Sequence, residues 1–164
     1  MKESISEKLK DFRVIVYSAG PDVRTRVDIL RLAGVLEVSC VDQVSHEDML
    51  RLYSLSRVYV GISVSNAIST SLLESMALGA FPVQTNTACC TEWIEDSKTG
   101  FEVPVDDVEV IANRVEKAIT EDDLVDNAAE LNWETVVSRL DKEELKTEVL
   151  KMYEFALSGE EENG

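Results

Sequence analysis

From residue 12 onward, short apolar runs rich in β-branched residues alternate with stretches whose apolar positions recur at helical spacing. Residues 12–17 read as a strand ending in the turn Ser18-Ala19-Gly20-Pro21. Asp22 is placed to cap a helix over 23–33 with Val23, Val27, Leu30 and Ala33 on one face, and Gly34 stops it. A second strand follows over 35–40. Ser45 and Asp48 then form a capping box for a helix over 46–55, which makes His46 a first-turn surface residue with a structural role. Strands over 58–62, 81–84 and 101–103 alternate with helices beginning at Leu72 and over 106–120, the latter with Val108, Ile111, Val115 and Ile119 on one face. Residues 122–157 read as helical, with Trp133, Val136, Val137, Leu140, Leu145, Leu150 and Tyr153 available to cover a sheet. This alternation predicts an α/β fold: a Rossmann-like, three-layer, doubly wound parallel sheet of about five strands, with helices on both faces and a helical C-terminus. Residues 1–157 form one domain in this reading, and 158–164 an acidic disordered tail.

The stretch from Arg57 to Pro104 carries the chemistry. A short apolar strand runs into Ser63, Ser65, Asn66, Ser69, Thr70 and Ser71, and any of the last three is a possible N-cap for the helix that follows. The first turn of such a helix leaves backbone N–H groups without intrahelical partners, and the macrodipole adds about half a positive charge, so a phosphate fits there. Glu74 lies within a turn of the same loop, where its carboxylate can accept hydrogen bonds from vicinal hydroxyls such as those of a ribose. Leu72, Leu73, Met76, Ala77 and Ala80 are the helix's apolar set, and Gly79 marks its end. Without further support, a Ser/Thr-rich loop before a helix is an ordinary capped βα connection.

The order SxSNxxSTSLLESMALGAFPV, followed by TEWIEDSKTGFEVPVDD, resembles the donor-binding domain of GT-B glycosyltransferases of family 4. The resemblance implies a nucleotide-sugar-binding domain of a retaining glycosyltransferase, with a UDP- or GDP-sugar as donor, no metal and no further cofactor. It implies that Glu74 holds the donor's ribose and that the loop of Ser69, Thr70, Ser71 and Leu72 receives its diphosphate. Asn66 falls where the family has an acid that contacts the donor sugar. An amide can still hydrogen-bond sugar hydroxyls but brings no charge to a developing oxocarbenium ion. Ala88 and Cys89 stand where many relatives have two glycines that let the backbone approach the donor, and their Cβ atoms narrow that approach. Glu92 keeps an acidic position of the family; it reads equally well as a carboxylate at the start of a helical turn.

The family also has, before the segment that begins here at Phe12, a strand and a lysine that supply positive charge, and an N-terminal acceptor-binding domain. The resemblance therefore implies part of a larger enzyme, inactive in transfer on its own, with the acceptor-binding domain as its missing partner. Without that strand the remaining five are expected to close up in the order 2-1-3-4-5. Arg24 and Arg26 are the nearest candidates to replace the charge, against the simpler reading of a solvated helix face.

The net charge of −16, from 32 acidic and 16 basic residues, argues against nucleic acid or an anionic membrane as partner. No apolar run approaches the ~20 residues of a membrane helix, and the first residues lack the apolar centre of a signal peptide, so a cytoplasmic location is expected. Cys40, Cys89 and Cys90 show no Cys-x-x-Cys spacing and only one histidine accompanies them, which disfavours zinc and points to reduced thiols; Cys89 and Cys90 as a reactive pair is the sharper alternative to simple packing. A non-catalytic interaction or nucleotide-binding module on the same fold competes with the transferase reading, supported by Asn66, Ala88 and Cys89. An NAD or flavin enzyme is disfavoured, because no Gly-x-Gly-x-x-Gly follows the first strand.

Overall fold

A computed structural model describes residues 5–64, 67–87 and 89–158. Five parallel strands alternate with helices, so the α/β class inferred from the sequence holds. β1 (Arg13–Tyr17) pairs with β2 (Glu37–Val41) in register Arg13 to Glu37. β3 (Val58–Gly61), β4 (Phe81–Thr85) and β5 (Phe101–Val103) form a second sheet in that order. The expected closure into one 2-1-3-4-5 sheet does not occur: among the described residues no ladder joins β1 to β3. Instead, ring contacts run from Tyr17 on β1 to Tyr53 at 6.4 Å and from Tyr53 to Tyr59 on β3 at 5.9 Å, both edge-on. Tyr53 of the intervening helix thus touches a ring from each of the two strands.

Local chemistry sets most helix ends. A short α1 (Ile5–Lys8) leads into a 3₁₀ turn at Leu9–Asp11 and is tied to the later part of the chain by Lys8 Nζ on Glu116 at 2.7 Å. α2 (Pro21–Leu32) starts earlier than the sequence suggested. Its N-cap is Gly20, and Pro21 fits the first turn because it has no N–H to leave unpaired; Asp22 is a first-turn residue and not the cap. Only Val27 of that helix is buried, whereas Val23 and Leu30 remain exposed. In α3 (His46–Ser54) the Ser45 side chain accepts from Asp48 N at 3.1 Å, as the capping box requires. α4 (Thr70–Ala77) takes Ser69 as its cap and ends at Gly79, whose φ of +87° suits glycine. Asp107 caps α5 (Val108–Thr120) by accepting from Val110 N at 2.9 Å.

The core lies around the second sheet. One face, Phe81, Val83, Phe101 and Val103, packs on Ala118 of α5 and on Val125 and Ala128 of α6 (Asp122–Arg139). The other face carries Tyr59 against Leu72 and Met76 of α4, with Tyr53, Trp93, Ile94 and Val136. The C-terminal helical region differs from expectation. It breaks at Leu140 into α6 and α7 (Lys142–Ser158), and of the seven apolar residues expected to cover the sheet only Val136 is buried. α6 instead turns Val125, Ala128, Asn132 and Val136 inward. α7 buries none of its residues. Of the expected tail, Ser158 closes α7 and 159–164 lie outside the described residues.

Candidate functional site

A cavity of about 330 Å³ opens where the strands of both sheets end, lined by Tyr17 and Ser18 after β1, by Asp42, Gln43 and Val44 after β2, by His46, Met49 and Tyr53 of α3, and by Thr70, Ser71 and Glu74 of α4. A crevice at the carboxyl ends of parallel strands is where open α/β sheets bind ligands. Ser18 takes a left-handed φ of 53°, unusual outside glycine, at the lip of this cavity.

The start of α4 is the electropositive element of the cavity. Ser69 Oγ accepts from Leu72 N at 3.4 Å, and the Ser69 carbonyl accepts from Leu72 N and Leu73 N at 3.0 and 3.2 Å. Leu72 is therefore committed: its amide is capped and its side chain, 2% exposed, belongs to the core. The amides of Thr70 and Ser71 precede the first intrahelical bond and face no partner among the described residues, so they are the donors available to an anion. Glu74 sits one turn on, 23% exposed, with Oε1 2.7 Å from His46 Nε2. His46 was legible as a first-turn residue of α3; its contact with Glu74 was not, because nothing in the sequence says that the two helices meet there. Tyr53 and Tyr59 stand beneath, their hydroxyl pKa values raised above the ordinary range by burial first and then by Tyr17, with Glu74 adding to the effect on Tyr53 and Tyr53 to that on Tyr59, so both remain neutral donors.

The other residues singled out from the sequence lie elsewhere. Arg24 is held in the wall near the cavity, its Nη1 on Asp42 at 2.6 Å and its Nε donating to the Ala19 carbonyl at 2.9 Å, so its charge is spent on Asp42. Cys89 is exposed and opens a 3₁₀ turn, Cys89–Glu92. Cys90 is buried, donates to the Thr85 carbonyl at 3.4 Å and has its thiol pKa raised by desolvation and then by Glu102. A buried, raised thiol is a packing residue and a poor nucleophile. Glu92 closes that turn, away from the cavity lining, and its carbonyl accepts from Arg139 Nη1 at 2.5 Å. Asn66 and Ala88 lie outside the described residues.

With this geometry in place, similarity to known proteins narrows the reading. A family model described as "Glycosyl transferases group 1" matches residues 1–121. No curated protein matches the sequence. The fold is similar to that of sucrose-phosphate synthase from Thermosynechococcus elongatus, with a TM-score of 0.78 and 17% identity over 95% of this chain and 42% of that one. It is also similar to HepE of Anabaena, solved with UDP-glucose, with a TM-score of 0.75 and 14% identity over 92% of this chain and 44% of that one. The C-terminal domain of LpcC, a group 1 glycosyl transferase family protein from Francisella tularensis, gives a TM-score of 0.70 and 19% identity over 84% of this chain and 75% of that one. The chain thus spans less than half the length of the first two, 42% and 44%. Among the described residues no helix is long and apolar enough to cross a membrane.

Proposed function

Because the chain belongs to the group 1 glycosyl transferases, we propose that its cavity receives the nucleotide portion of a UDP- or GDP-sugar for retaining glycosyl transfer, and that transfer requires a further, acceptor-binding domain. The observation that carries this reading is the convergence in one cavity of two uncommitted helix-start amides, on Thr70 and Ser71, with the carboxylate of Glu74 one turn on. The amides and helix dipole suit a diphosphate, and the carboxylate suits a vicinal diol. Glu74, Ser69, Thr70 and Ser71 are the donor-binding residues in this reading; Asn66 would contact the sugar. Leu72 contributes by anchoring α4 in the core, and Arg24 by holding Asp42.

A larger enzyme is supported by α7, where Val149, Leu150, Met152, Tyr153 and Phe155 are all exposed, a surface suited to packing against another domain. The enzyme would act in the cytoplasm, in polysaccharide or glycoconjugate synthesis. The chain alone should release no sugar from a nucleotide-sugar into an acceptor. UDP and GDP titrated against it should raise Tm, by an amount corresponding to about 2.7 kcal/mol at a hundredfold excess over Kd, and Glu74→Ala should abolish the rise. The competing reading, a non-catalytic module, is favoured by a feature of the cavity: among the described residues it is lined by two carboxylates, Asp42 and Glu74, and by no lysine or arginine. No Tm response to any nucleotide would decide for it.

A further inference from the structure

One contact in the cavity joins a titratable ring to the proposed ribose acceptor. His46, the chain's one histidine, places Nε2 2.7 Å from Glu74 Oε1 while its side chain stays 71% exposed. An ionised carboxylate can only accept, so Nε2 carries the hydrogen of this contact. The second oxygen of Glu74, and the second lone pair of the first, stay available to a vicinal diol.

The charges around this pair are unevenly matched. Asp42, after β2, already has Arg24 Nη1 at 2.6 Å. On α3 itself Glu47 and Asp48 turn to Arg51, at 2.7 and 4.0 Å. The Tyr17 and Tyr53 hydroxyls line the same cavity, and Glu74 reaches in from α4. Among the described residues the lining holds no lysine or arginine, so His46 is its one member able to become a cation near neutral pH. As the first residue of α3, it sits at the positive end of that helix, which opposes a charge there. An anion bound nearby offsets that opposition. Thr70 precedes Glu74 by four residues, about 6 Å along α4, so a diphosphate on the Thr70 and Ser71 amides lies within about 10 Å of the imidazole, roughly one Debye length.

Resting on the reading of this cavity as a nucleotide-sugar site, we infer that His46 is the cationic group of that site and that the donor's diphosphate binds with uptake of a proton by its ring. The proton comes from solvent and goes to Nδ1, the nitrogen that Glu74 does not hold, while Nε2–H stays on the carboxylate. Binding and protonation then favour each other reciprocally. Affinity rises as pH falls through the ordinary histidine range near ~6.5.

The test is calorimetric titration of the full chain with UDP-glucose and, separately, GDP-glucose, at about pH 8 and about pH 6. A terminal phosphate ionises near pH ~6, but in these esters both phosphates keep their charge across the window. Kd should tighten about fivefold to tenfold from the higher to the lower pH. Between buffers of different ionisation enthalpy, the heats should report net proton uptake. His46→Gln keeps an uncharged donor for Glu74 and should still bind, with no pH dependence and no uptake. His46→Lys fixes the charge and should bind tightly at both pH values. Uridine and guanosine, which have the diol but no diphosphate, should bind the parent chain without pH dependence. Saturable binding of a nucleotide-sugar with a flat profile in the parent chain would overturn the role of His46 and leave the nucleotide site standing. So would a slope that survives in His46→Gln, or an equal slope with the nucleosides. Absence of binding by both nucleotide-sugars at both pH values would overturn the site and this inference together.

Discussion

All five residues of β4 are buried, with Val83 and Thr85 at 0% exposure, whereas no residue of β1 reaches that class and Arg13 at its start is exposed. β1 is the more apolar of the two by sequence, with Val14, Ile15, Val16 and Tyr17, whereas β4 ends in Gln84 and Thr85. What decides their burial is their neighbours: β4 has a strand on each side, α4 and α5 on its faces and the Phe81–Phe101 ring contact at 5.0 Å, while β1 has one partner strand and a tyrosine stack. Burial in a parallel sheet is thus a property of position and not of the strand's own sequence. The consequence for function is that the cavity lies at the junction of a finished half, which supplies the fixed α4 start, and a less covered half, which supplies Asp42 and His46.

Core truncations give the widest separation between the halves. Phe101→Ala, at a fully buried position, should cost about 3–5 kcal/mol, read from the urea midpoint. Val38→Ala in β2, a smaller loss in a thinner core, should cost distinctly less; equal costs would break the comparison. Glycine positions sharpen it next. A Cβ on Gly100 would lie 2.7 Å from Pro82 Cγ and 2.9 Å from the Pro82 carbonyl oxygen, so Gly100→Ala should cost about 1–3 kcal/mol. Gly20 has nothing within 4 Å and caps α2, so Gly20→Ser should stay within about 0.5 kcal/mol of the parent or stabilise it. Ser69→Ala removes the cap that sets the α4 start and should cost about 1 kcal/mol, while weakening nucleotide binding more than that loss explains.

Much of this organisation was readable from the sequence. The capping box at Ser45 and Asp48, the α4 face of Leu72 and Met76, and β5 at Phe101–Val103 depend on residues within a turn or two of each other, so local spacing suffices. What was not readable depends on contacts between distant segments. The break between β1 and β3, the His46–Glu74 contact across 28 residues, and the inward set of α6 centred on Ala128 and Asn132 follow from how elements pack. Asn132 is polar, yet 1% exposed, because its Nδ2 donates to the Thr99 carbonyl at 2.8 Å; hydrophobic periodicity alone passes it over in favour of Trp133, which is 54% exposed.

The smallest expected effect lies in the finished half. The Glu102 carboxyl is raised by desolvation and then by Asp96. A folded pKa above the unfolded one means that the native state holds the proton more tightly. Its contribution to stability is therefore fully present below the ordinary glutamate value of ~4.3 and is lost as pH rises through the raised value. Glu102→Gln should flatten the fall of Tm across that window and leave Tm at lower pH unchanged; an unaltered slope would remove Glu102 from the account.

The central claim is that the junction of the two halves is a nucleotide site built on the start of α4. Amide shifts of the isotopically labelled chain during titration with UDP and, separately, GDP test it most directly. The account predicts saturable shifts concentrated at Thr70, Ser71 and Glu74, with His46 and Asp42 following, and their loss in Glu74→Ala. Absence of saturable shifts with both nucleotides, or shifts centred away from α4, would contradict it.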